Sequence, residues 1–122
     1  MQNDMRVNVL GTDYKIIIKQ YEDDNTFERR SIGAYCNGLT KEIVLCDMKS
    51  YKGWENEDVE TINACNKENL RHEIVHAFFN ESGLQDCSFI YDGAWAKNEE
   101  MVDWFATQGL KIFNAWKQAE CI

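Results

Sequence analysis

The stretch "LRHEIVHAFFNESGL", Leu70–Leu84, decides how this chain is read. It holds both histidines of the 122-residue chain, His72 and His76, with Glu73 directly after the first. Leu70, Ile74, Ala77 and Phe78 recur at helical spacing, and Gly83 supplies a stop. The pattern reaches back through Ile62 and Val59 to a start near Asp58. Asn66 could instead cap a shorter helix with Glu68 in its first turn. Positions i and i+4 share a helix face, so His72 and His76 can aim two imidazoles at one tetrahedral zinc ion. Glu73 stands beside that ion, where it can hold a water and take its proton. Two histidines scattered at random would fall four apart only about one or two times in a hundred, so accident is the weaker account.

Upstream the period changes to that of strands. "MRVNV" alternates Met5, Val7 and Val9 onto one face, and "YKIIIKQY" follows a turn at "GTD". "SIGAYC-NG-LTKEIVLCD" reads as a hairpin with a two-residue type I′ turn at Asn37–Gly38, which places Ile32 opposite Ile43. "KEIVLC" is either a sheet edge able to accept an extended peptide or a plain core strand. Trp54 and Trp95 flank the histidine helix in sequence and could wall a cleft.

Downstream, "AKNEEMVDWFATQGLKIFNAWKQ" is a second amphipathic helix with Val102, Phe105, Ala106, Phe113 and Trp116 on its apolar face. Gly109 is a place for it to kink or break. The sum is an α+β fold, a small antiparallel-rich N-terminal sheet followed by two long helices, in a single domain over residues 1–122. A catalytic zinc wants a third protein ligand, and no third histidine exists. In "NEEMVD", Glu99 and Asp103 are again i and i+4. Glu99 could ligate the metal while Asp103 accepts the free N–H of a ligand histidine; Glu100 is the rival ligand.

Composition narrows the function classes. The net charge of −8 argues against a nucleic-acid surface, where Lys and Arg must neutralise phosphates; "FERRS" holds the only adjacent basic pair. The opening "MQNDMRVNVL" lacks a basic region before an apolar run, and no apolar stretch reaches bilayer length, so a cytoplasmic protein is expected. Cys36, Cys46, Cys65, Cys87 and Cys121 are odd in number and without CxxC spacing, which fits reduced thiols.

"HEIVH" followed by "NEEMVD" resembles the gluzincin pattern, HExxH then N-E-x-x-x-D, of thermolysin-like metallopeptidases. The short chain and the hairpin before the helix resemble the minigluzincins and the ImmA/IrrE-like small zinc peptidases. Their second motif, roughly E-x-x-x-[ND]-x-F-A, is matched by Glu99, Asp103, Phe105 and Ala106. "GAYCNGLTKEIVLCD" is similar to the family's strand beside the active-site cleft, and the resemblance covers about Ser31 to Trp116. It implies a zincin-like fold and a zinc-dependent metalloendopeptidase acting on a protein or peptide. His72, His76 and Glu99 would ligate Zn2+, Glu73 would be the catalytic base, and Asp103 would buttress His72. A tetrahedral intermediate also needs a hydrogen-bond donor, for which Tyr91 and Tyr35 are the candidates. The alternative is a non-catalytic or autoinhibited zincin-fold module that binds metal and protein.

Overall fold

A computed structural model describes residues 5–87 and 99–122. β1 (Arg6–Val9) and β2 (Thr12–Lys19) form an antiparallel hairpin. Its turn is Leu10–Gly11, with φ of 52° and 94°, the left-handed pair that a tight hairpin requires. A short helix α1 (Thr26–Arg30) then leads into β3 (Ala34–Asn37) and β4 (Glu42–Cys46). The sheet order is β1-β2-β4-β3, with β2 and β4 parallel and the outer pairs antiparallel. α2 (Val59–Ser82), the short α3 (Leu84–Cys87) and α4 (Glu99–Gln118) follow, so the α+β class holds. No helix among the described residues is long and apolar enough to cross a membrane.

The β3–β4 hairpin forms, but neither its turn nor its register is the expected one. Asn37 pairs with Glu42 and Cys36 with Ile43, so Ile32 does not face Ile43. The connection is the four-residue Gly38–Lys41. Asn37 Oδ1 accepts the N–H groups of Leu39 and Thr40 at 3.0 and 3.1 Å, and Lys41 takes the left-handed conformation. The asparagine side chain thus caps its own turn, which removes the need for a type I′ pair. β4 is the core-strand alternative. Ile43, Val44, Leu45 and Cys46 are all buried, and such an unbroken apolar run suits a strand covered on both faces and both edges. The exposed edge beside α2 is β3.

α2 starts at Asp58, whose side chain accepts the Thr61 N–H at 2.7 Å, and ends at Gly83 with φ 85°. Asn66 is therefore interior to the helix, and its Oδ1 accepts the N–H of Met48 at 3.2 Å. Val59 is exposed, outside the apolar face expected of it. Leu70, Ile74, Ala77 and Phe78 pack against Val7, Val9, Tyr14, Ile16, Ile43 and Leu45. On the sheet's other face Phe27, Val44, Cys46, Met48 and Ile62 form a second cluster, with Trp54 against it. Trp54 is thus spent on that cluster; Trp95 lies outside the described residues.

α4 runs unbroken through Gly109. Its buried face is Ile112 and Ala115, continued by Ala119 just past its end, with Trp104 and Trp116 packed alongside, whereas Phe105 and Phe113 are about half exposed. The two alanines let α4 come close to α2 and the sheet, and that turns the phenylalanines outward. The side chains of Val102 and Ala106 lie outside the described residues. α4 runs antiparallel to α2: Trp104 Nε1 donates to Ser82 Oγ at 3.3 Å, and Trp116 Nε1 donates to the Arg71 carbonyl at 3.2 Å.

Candidate metal centre

α2 and β3 lie side by side and run the same way. A Cβ on Gly33 would fall 2.9 Å from Asn69 Nδ2, and one on Gly38 would fall 2.7 Å from Asn80 Nδ2. At about 3.3 Å per strand residue and 1.5 Å per helix residue, both stretches span roughly 16 Å. His72 and His76 fall between those contacts, level with Ala34–Cys36. By helical spacing Asn69, Glu73, Ala77 and Asn80 form the stripe turned to the strand, and the histidines flank it.

The Nε2 atoms of His72 and His76 are 3.2 Å apart. Two nitrogens held at 2.0–2.1 Å around a tetrahedral zinc ion would be separated by about 3.4 Å, so the pair is already set near a ligand spacing. Without an ion the same approach is a hydrogen bond between imidazoles of opposite tautomer. Burial, and then the charge of His72, push the His76 pKa down, which favours the neutral ring that ligates metal. Glu73 is 7% exposed, the one buried charged side chain among the described residues. Burial raises its carboxyl pKa, while the charges of His72 and Arg30 act the other way. A base that keeps some affinity for a proton is what general-base chemistry needs.

These three side chains open into a cleft of about 860 Å³ bounded by β3, by the Gly38–Lys41 turn and by α1. Cys46 N–H donates to the Gly33 carbonyl at 2.9 Å, which makes 33/46, 35/44 and 37/42 the hydrogen-bonded pairs of this ladder. Ala34 and Cys36 therefore turn their own N–H and C=O groups to the free edge, toward the cleft. The Cys36 thiol is pushed up to about 12 by burial and then by Glu73, so it stays protonated.

The other expected site residues fare differently. Tyr35 lines the cleft, but its hydroxyl donates to Asp24 Oδ2 at 2.5 Å, and burial and that bond raise its pKa to about 12. Its proton is committed to Asp24 in this arrangement. Asp103 is exposed at the Ser82 end of α2, roughly two turns from His76, and among the described residues it bonds to neither imidazole. Glu100 is likewise exposed. Glu99 opens α4; its side chain, and Tyr91 altogether, lie outside the described residues. Among the described residues no three His, Cys, Asp or Glu side chains gather as a complete donor set. Arg29 and Arg30 join the cleft without having been singled out for it. Their only signal in the sequence is the adjacent basic pair in an acidic chain.

No family model, curated protein or solved structure matches this chain.

Proposed function

We propose that the chain is a zinc-dependent metalloendopeptidase of gluzincin type. The observation that carries this reading is the 3.2 Å approach of the two Nε2 atoms with a buried glutamate one residue away, at the wall of an open cleft. His72 and His76 would hold the ion; the sequence pattern offers Glu99 as the carboxylate third ligand, at the start of α4 and one turn farther from His76 than Asp103 along that helix. Bound zinc supplies Lewis acidity, which lowers the pKa of a water and polarises a carbonyl. Glu73 takes the proton of the attacking water and returns it to the leaving amine. The free N–H and C=O groups of Ala34 and Cys36 hold an extended peptide as a fifth strand along the cleft.

The test is hydrolysis of a complex peptide mixture by zinc-supplemented protein, read by mass spectrometry. Cleavage by wild type that disappears in Glu73→Gln, with zinc content kept and the melting temperature not lowered, supports the enzyme. Absence of zinc-dependent cleavage by wild type overturns it. The engagement of Tyr35 with Asp24 favours a second reading, a non-catalytic module that binds metal and a partner on the same edge. In that case Glu73→Gln would leave partner binding unchanged.

A further inference from the structure

We propose that Arg29 and Arg30 form a carboxylate-binding end of the cleft, so that the peptide bound along β3 carries a carboxylate at that end. This deepens the reading of the cleft as a peptide groove and rests on it. Three observations carry it. Phe27 is fully buried and anchors α1, while Ser31, in the left-handed conformation at φ 53°, ends the helix and turns the chain into β3. The two arginines are thereby held at the N-terminal end of the edge strand, opposite the Gly38–Lys41 turn. Both are exposed and both line the cleft.

Among the described residues neither arginine forms an ion pair, although the charge of Arg30 is felt by Glu73. The ion pairs among the described residues are Lys19 with Asp24 and Lys41 with Glu81. Lys41, the third cation of the cleft wall, is thus neutralised locally, whereas among the described residues neither guanidinium has a hydrogen-bond partner. Among the described residues the only carboxylate of the cleft wall is Glu73, itself largely buried. A chain with net charge −8 therefore presents a positive end in this one groove. A guanidinium offers a planar fork of donors that matches a carboxylate in two parallel hydrogen bonds. The ligand chemistry is a carboxylate, from an acidic side chain or from the peptide's own C-terminus.

The test uses three fluorescein-labelled octapeptides that differ only in charge. One carries internal glutamates and an amidated end, one carries glutamines and an amidated end, and one carries glutamines with a free C-terminal carboxylate. Anisotropy titrations on the Glu73→Gln chain keep the peptides intact; the same titrations on wild type in EDTA repeat the reading without that substitution. A carboxylate peptide should bind about ten-fold more tightly than the uncharged one, consistent with charge-assisted hydrogen bonds. That advantage should vanish in Arg29→Gln/Arg30→Gln and be partly kept in Arg29→Lys/Arg30→Lys. Gain by the glutamate peptide alone assigns the side chain; gain by the free-ended peptide alone assigns the terminus. No advantage for either, or an advantage that survives the glutamine substitutions, overturns the proposal. Zinc content and hydrolysis by wild type report on the peptidase reading separately.

Discussion

Lys41 Nζ and Glu81 Oε2 meet at 2.7 Å, joining the β3–β4 turn to the last turn of α2. The same carboxylate accepts the Tyr14 hydroxyl at 2.6 Å through Oε2 and the Thr12 hydroxyl at 2.9 Å through Oε1. One side chain thereby ties the histidine helix to β2 and to the β3–β4 turn. Lys41, at the other end of the ion pair, lines the cleft. Tyr14 is fully buried, so removal of its partner leaves a hydroxyl inside the fold without an acceptor.

Glu81→Ala should therefore cost about 2–3 kcal/mol, more than an exposed ion pair would, because buried partners are orphaned. Urea unfolding followed by circular dichroism measures it. A loss below about 0.5 kcal/mol would mean the cluster contributes nothing beyond a surface contact.

The approach of β3 to α2 predicts a coupled pair. Gly38→Ala forces a Cβ to within 2.7 Å of Asn80 and should destabilise the fold by about 1–2 kcal/mol. Asn80→Ala vacates that space, so the double variant should recover most of the loss. Additive losses in the double-mutant cycle would show that the contact does not set the spacing.

Acid should unfold the protein through two carboxylates. The Tyr35 hydroxyl bond holds Asp24 below the usual carboxylate range, against the effect of burial and with help from Thr26 and Lys19. Burial alone would raise Glu81, but its bonds to Lys41, Tyr14 and Thr12 outweigh it and bring it below its usual value. A carboxylate whose folded pKa is depressed contributes stability that is complete above its unfolded value and lost as pH falls through the folded one. Stability should thus hold down to roughly pH 4 and fall steeply below it. In Asp24→Asn the acid limb should be shallower; an unchanged slope would remove Asp24 from the account.

Metal analysis addresses the site itself. Protein supplied with zinc should carry about one ion per chain. That ion should be lost in His72→Ala, His76→Ala and Glu99→Ala and kept in Glu100→Ala. Zinc should also raise the melting temperature, since an ion that binds only the folded chain stabilises it by about 2.7 kcal/mol at a hundred-fold excess over Kd. Retention of zinc by Glu99→Ala would move the third ligand elsewhere. No zinc in wild type would reduce "HEIVH" to a helix with two histidines.

Much of the site was legible because it is local. The i, i+4 spacing of His72 and His76 and the position of Glu73 follow from helical geometry alone, and the glycine stop at Gly83 is a local signal; the start, open between Asp58 and Asn66 in the sequence, is decided by the Asp58 side chain on the Thr61 N–H. The turn at Asn37–Gly38 was misread because an asparagine side chain can satisfy backbone N–H groups in two ways, and only the paired strands select between them. The face of α4 was off by a rotation because Phe105 and Phe113 are as apolar as a core requires, yet Ala115 and Ala119 permit the closer contact.

The sequence by itself determined the α+β class, the helix carrying both histidines and the existence of the hairpin that precedes it. Each of these depends on residues within a few positions of one another. Only the tertiary structure decided that β4 is interior, that β3 is the edge beside α2, and that Arg29 and Arg30 share a cleft with His72 more than forty positions away. Strand order and helix rotation are chosen by which distant surfaces exclude water together, and no local period encodes that choice.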